Sequence, residues 1–130
     1  MHFGYTIIYV EDVISTINFY EKALACECSF IHDSKQYAEL NTGDTKLAFA
    51  HESMAKDNGI DIRTNRKHEL PAGIEIAFVT DDVASAFHQA TNFGAIEVQQ
   101  PSQKPWGQTV AYIRDLNGLL IEICSPMTSV

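Results

Sequence analysis

A carboxylate stranded among apolar residues is the most chemically informative feature of this chain. Glu122 lies inside Leu119-Leu120-Ile121-Glu122-Ile123, and burying a glutamate in such a run is costly unless a metal, a ligand, a proton or an arginine partners it. Glu75, the second carboxylate of interest, opens the apolar run Glu75-Ile76-Ala77-Phe78-Val79. Two carboxylates brought together suit proton shuttling, hard-cation ligation or recognition of a cationic ligand. Arg114 and Lys46 are the basic residues that would make Glu122 structural instead, by closing a buried ion pair.

The elements that must position these residues follow from hydrophobic periodicity. Val110 to Ile113 and Leu119 to Ile123 are rich in β-branched and aromatic residues, and Asp115-Leu116-Asn117-Gly118 between them supplies a turn. At the other end, Tyr5 to Val10 is a strand, after which Asp12 caps a helix with Val13, Ile17, Tyr20 and Leu24 at helical spacing. Three short strands are predicted next, at Cys26 to Ile31, Gln36 to Leu40 and Thr45 to Ala50. Residues 51–72 form a polar excursion or linker, with a short helix around Glu52 to Asp57. The order then repeats: a strand from Gly73 to Thr80, a helix capped by Asp82 with Val83, Phe87 and Ala90 inward and Gly94 at its end, and strands at Ile96 to Gln99, Gln108 to Arg114 and Leu119 to Cys124.

Sliding the chain on itself by about 70 residues aligns Asp12-Val13 with Asp82-Val83 and Ser15 with Ser85. The fold class is therefore α+β, with two tandem β-α-β-β-β modules at about 1–50 and 73–126 in a single domain. In this register Tyr5 corresponds to Glu75 and Ala48 to Glu122. Alternation puts Ile8, Val10, Leu47, Phe49, Ile76, Phe78, Ile121 and Ile123 under the helices. Tyr5, Tyr9, Lys46, Ala48, Glu75, Glu122 and Cys124 then share the opposite face, a mixed apolar and acidic surface suited to a cup for a small molecule.

With 130 residues and 45% hydrophobic content, the chain can build one real core. No membrane-length apolar run or signal-like N-terminus is present, so the expected location is cytoplasmic. Cys26, Cys28 and Cys124 lack zinc-like spacing and are expected to be reduced thiols buried in strands. The formal charge of −8 argues against nucleic acid or an anionic membrane as partner.

The motifs Asn18-Phe19-Tyr20, Lys104-Pro105-Trp106-Gly107 and Asp115-Leu116-Asn117-Gly118 followed by Ile121-Glu122-Ile123 give the chain its resemblance to the vicinal oxygen chelate superfamily. That superfamily includes glyoxalase I, bleomycin-resistance proteins, fosfomycin-resistance enzymes and extradiol dioxygenases. The resemblance implies paired modules curving around a cleft and a homodimer. It also implies, in metal-dependent members, ligands from the first and last strands of each module, which here are Tyr5, Ala48, Glu75 and Glu122. Of the usual ligand set only Glu122 is retained: a phenol titrates near pH ~10, Ala48 has no donor atom, and Glu75 replaces a neutral side chain by a charged one.

Three functions are compatible with these residues. In the first, a metal-free or weakly metal-assisted cup holds a cationic or hydrogen-bond-donating molecule, with Glu75 and Glu122 facing each other across the pseudo-twofold axis, Tyr5 and Tyr9 lining the cup and Trp106 covering it. In the second, a glyoxalase-type lyase or isomerase uses Glu122 and Glu75 as base or as ligands of zinc, nickel, cobalt or manganese. In the third, Glu122 pairs with Arg114 or Lys46 inside a barrel and the domain is a scaffold. His51 is predicted to point away from Ala48, and dioxygenase chemistry lacks its two histidines.

Overall fold

The computed structural model describes residues 1–127. They form two compact units, the first spanning Met1–Asn65 and the second beginning at Arg66. The first contains β1 (Tyr5–Val10), α1 (Val13–Ala23), β2 (Cys28–Ile31), β3 (Tyr37–Leu40), β4 (Lys46–His51) and α2 (Ser53–Asp57). The second contains β5 (Glu75–Val79), α3 (Val83–Asn92), β6 (Ile96–Gln103), β7 (Thr109–Arg114) and β8 (Leu120–Cys124). The expected order of elements is present in both, and most strand ends lie within two residues of their predicted positions. The main exception is β6, which continues through Pro101 to Gln103 by way of two register shifts against β7. Such bulges let a proline sit at the edge of a sheet without breaking it.

Each unit has one open four-stranded sheet, ordered β1-β4-β3-β2 in the first and β5-β8-β7-β6 in the second. First and last strands are parallel neighbours, while the remaining pairs are antiparallel. Open sheets replace the barrel assumed in the scaffold reading. The helices start alike: Asp12 Oδ1 accepts from the Ser15 amide and Asp82 Oδ1 from the Ser85 amide, both at 3.0 Å, each satisfying one of the helix's unpaired N–H groups. α1 packs on β3 and β4, burying Val13, Ile17, Phe19 and Tyr20, with the Tyr20 and Phe49 rings 4.8 Å apart. α3 covers β6, β7 and β8 with Val83, Phe87 and Ala90.

The predicted linker divides between the units. Asn65 Nδ2 donates to the Tyr9 carbonyl at 3.1 Å in the first unit, whereas the carbonyls of residues 66, 67 and 69 are held by Arg114 in the second. Cysteine placement also differs from expectation. Cys124 is buried in β8, but Cys26 and Cys28 are half-buried and Cys26 lies in the loop before β2. Burial still pushes the Cys26 thiol up to about 11, so it remains protonated at neutral pH. No helix among the described residues is long and apolar enough to cross a membrane.

Candidate functional site

Strand pairing places Glu122 at the centre of the second unit's sheet face. Ala77 is its partner on β5 and Tyr112 its partner on β7, so side chains at these three positions share a face. The Tyr112 hydroxyl donates to Glu122 Oε1 at 3.0 Å. Glu75 pairs with Leu120, one step along the same face, and its carboxyl hydrogen bonds with that of Glu122. Cys124, two residues beyond Glu122 on β8, supplies a third interaction through its thiol. Glu122 thus collects a phenol, a carboxyl and a thiol.

The electrostatics follow from this crowding. Partial burial, then the charge of Glu122 and the hydrogen bond to it, raises the Glu75 carboxyl above its ordinary value of 4.5. Burial, then the hydrogen bond and charge of Glu122, also raises Tyr112 and Cys124 above their already high ordinary values. Both keep their protons at neutral pH and act as donors. The group is therefore a pair of neighbouring carboxyls rimmed by two weak acids, an arrangement suited to accepting a hydrogen bond or a positive charge.

This geometry corrects two expectations. Glu75 and Glu122 do not face each other across a pseudo-twofold axis. They stand on adjacent strands of one sheet, because the first and last strands of a module are neighbours. Arg114 is not the partner of Glu122 either. Its Nε donates to the Gly118 carbonyl at 2.8 Å, Nη2 to the Glu69 and Arg66 carbonyls at 2.6 and 3.4 Å, and Nη1 to the Lys67 carbonyl at 3.3 Å. The guanidinium ties the 66–69 segment to the β7–β8 turn, where it satisfies carbonyls that no strand pairs.

That turn carries its own requirement. The buried Asp115 side chain accepts from the Asn117 and Leu119 amides at 2.8 and 2.9 Å. Gly118 has φ +86°, and a Cβ there would lie 2.5 Å from Arg114 Nη2 and 2.6 Å from the Arg66 carbonyl oxygen. Trp106, on the β6–β7 loop, is 59% exposed, with Nε1 donating to Gln108 Oε1 at 2.8 Å.

In the first unit, Tyr5 pairs with Lys46, Ile7 with Ala48 and Tyr9 with Ala50, so the expected face of Tyr5, Tyr9, Lys46 and Ala48 is contiguous. Ala48 is fully buried and Tyr5 is 55% exposed. His51 ends β4. Its Nδ1 accepts from the Ser53 amide at 3.1 Å, and the residue lines a groove of about 430 Å³ with Glu52, Lys56, Asp61 and Ile62.

Three residues that attention to first and last strands overlooks join these faces: Tyr112 on β7, and Tyr37 and Glu39 on β3. The Tyr37 hydroxyl donates to Glu39 Oε2 at 2.7 Å, and Glu39 pairs with Ala48. The signal was present in the short β7–β8 turn, which sets Tyr112 opposite Glu122 as soon as the hairpin is closed about it.

Of the four strand positions that the family resemblance offers to a metal, Glu75 and Glu122 carry carboxylates and Ala48 carries no donor atom. One Glu122 oxygen accepts from Tyr112. Among the described residues no three His, Cys, Asp or Glu side chains are grouped to hold an ion.

Residues 3–128 match the family model described as a glyoxalase-like domain. An uncharacterised protein of Bacillus subtilis (strain 168), YraH, is 27% identical over 116 residues, covering 88% of this chain and 90% of its own. A glyoxalase-related enzyme from Fulvimarina pelagi superposes with a TM-score of 0.83 at 17% identity, over 97% of this chain and 88% of that one. A glyoxalase/bleomycin resistance protein/dioxygenase from Nocardioides gives 0.76 at 15% identity, over 100% and 86%. These structural likenesses carry the fold. Together with the match along nearly the whole sequence, they establish that the chain belongs to the glyoxalase-like family of the vicinal oxygen chelate superfamily.

Proposed function

We propose that this protein binds a small organic molecule through a cationic or hydrogen-bond-donating group received by Glu122, without a tightly held metal. The supporting observation is the convergence of Tyr112, Glu75 and Cys124 on the Glu122 carboxyl. A ligand ammonium or N–H donor can bind between the two carboxyls, and the chain's net charge of −8 favours such a ligand at longer range. The functional species in this reading is a homodimer, in keeping with the family's habit and with the exposed apolar side chains of Ile7, Val79 and Trp106.

One observation favours a second reading. A carboxyl whose affinity for a proton is raised by burial and a neighbouring carboxylate is equipped to move one next to a carbonyl, as hemithioacetal isomerisation by a glyoxalase-type enzyme requires. Both readings are tested by incubating wild type and Glu122→Gln with nickel, zinc, cobalt or manganese, removing free metal, and then screening organic ammonium compounds by melting temperature. The metal-free reading expects no retained ion and a cation that protects wild type more than the variant. Ligand at a hundredfold excess over Kd stabilises by about 2.7 kcal/mol. Glu122→Gln itself should cost less than about 1 kcal/mol, since the amide oxygen still accepts from Tyr112. One tightly held ion per chain, lost in the variant, would overturn this assignment and send the protein to an isomerase assay.

A further inference from the structure

The first unit carries a carboxylate where the family pattern does not seek one. Ala48 occupies the last-strand position that in the second unit belongs to Glu122, but its partner on β3 is Glu39. The side chain of Glu39 therefore emerges on the same sheet face, one strand over, beside a residue that is only a methyl group. The neighbouring positions are aromatic. Phe30 pairs with Glu39 from β2 and is 46% exposed. Tyr37 bonds Glu39 at 2.7 Å and lies 6.4 Å, ring to ring, from Phe30. Tyr5, 55% exposed, shares this face from β1, where it stands opposite Lys46 and two residues before Ile7, the partner of Ala48.

We propose that Glu39, with the rings of Tyr37, Phe30 and Tyr5, forms a binding site on the first unit for an organic ammonium group, Glu39 supplying the carboxylate that Ala48 lacks. This goes beyond the assignment of Glu122 and does not depend on it. The chemistry favours an ammonium over a metal ion. Glu39 is the one carboxylate of this constellation and its other members are π faces, which attract a weakly hydrated organic cation within about 6 Å of the ring and offer little to a hard divalent one. Burial and the adjacent carboxyl push the Tyr37 phenol far up, so it stays a neutral donor that steadies Glu39 without cancelling its charge. A cation on the same face is Lys46, one step along β4 from Ala48. It opposes an ammonium on its own side and directs the ligand's charge toward Tyr37. His32 lies beyond Phe30, its Nδ1 accepting from the Ser34 amide at 3.0 Å.

The test is titration with benzyltrimethylammonium, followed by the aromatic NMR signals of Tyr5, Phe30 and Tyr37. Wild type should show saturable shifts at these rings, and Glu39→Gln should weaken binding about tenfold. Tyr37→Phe, which keeps the ring and removes the competing phenol donor, should retain the probe. Lys46→Met should tighten it. Glu122→Gln should leave the shifts at Tyr5, Phe30 and Tyr37 in place. Shifts confined to Tyr112 and its neighbours, and indifferent to Glu39→Gln, would overturn this inference while leaving the Glu122 reading intact. Shifts at the three rings that survive Glu39→Gln would overturn it too, because adsorption on aromatic surface would then explain them.

Discussion

The same cross-strand row runs through both sheets and is filled in opposite ways. In the first unit it reads Ile7, Ala48, Glu39, Phe30; in the second, Ala77, Glu122, Tyr112, Gln99. Each row has one carboxylate at its centre and each carboxylate accepts from a tyrosine. The first unit puts its glutamate on the third strand of the module, the second on the fourth. Both units thus hold a Tyr–Glu pair, within one strand in the first and across two strands in the second. Only the second unit adds another carboxyl, Glu75, at the position where the first has Tyr5.

The largest difference is in the turns that fix these rows. Gly118→Ala should cost about 3 kcal/mol, adding an unfavourable left-handed backbone to a clash with Arg114 and the Arg66 carbonyl. Urea unfolding would measure it, and faster amide exchange over 66–69 would show that the Arg114 tether has been released. A loss below about 1 kcal/mol would mean that the segment yields and the tether is incidental.

Exchanging the rows comes next. Ala48→Glu places a second carboxylate beside Glu39 at a fully buried position, and should cost about 2 kcal/mol at neutral pH through like charge and crowding. The penalty should shrink at pH 4, where one of the pair takes a proton. Adding Glu39→Tyr, which rebuilds the second unit's central pair in the first, should recover most of it. If it does not, the two rows are not equivalent environments.

How much of this was legible depends on the range of the interaction. Asp12 and Asp82 announced their helices because a cap is a local contact with the residue three positions on. The period-two runs announced the strands, and aligning Tyr5 with Glu75 and Ala48 with Glu122 gave the register that the pairings have. Tyr37, Glu39 and Tyr112 were hidden because their relevance depends on which strands are neighbours in the sheet. The role of Arg114 was hidden for the same kind of reason: its acceptors are carbonyls some 45 residues earlier, on a segment with no periodicity. The continuation of β6 past Gln99 through Pro101 was hidden too, since a bulge that tolerates proline leaves no local mark.

A smaller contrast lies at the helix ends. α3 is followed by Gly94 at φ +103°, α1 by Ala25 at φ +53°. Ala25→Gly should relieve a strained backbone at an exposed site and gain about 0.5 kcal/mol, the relief slightly exceeding the added freedom of the unfolded chain. Gly94→Ala should lose about 1 kcal/mol. No atom lies within 4 Å of the added Cβ, so that loss would report backbone conformation alone. Thermal unfolding of the two variants should shift in opposite directions.

The smallest effect separates the acidic face from the aromatic one. Because Glu75 takes up its proton more readily in the folded protein than in the unfolded chain, the folded state binds more protons at pH values just above 4.5. Its contribution to stability is therefore fully present below 4.5 and is lost as pH rises through the raised folded value. This is the reverse of a salt-bridged carboxylate, and Glu75 is solvent-exposed enough that the effect is modest. Melting temperature followed from pH 4 to pH 7 in wild type and Glu75→Gln should show a difference that grows with pH in favour of the variant and then levels off. Glu122→Gln should reduce this slope without abolishing it, since the charge of Glu122 adds to the burial that raises Glu75 most. Glu39→Gln should leave it unchanged, because the first unit sets a phenol where the second sets this carboxyl. A slope unchanged by Glu122→Gln would mean that burial alone raises Glu75, and the carboxyl pair would no longer distinguish the two rows.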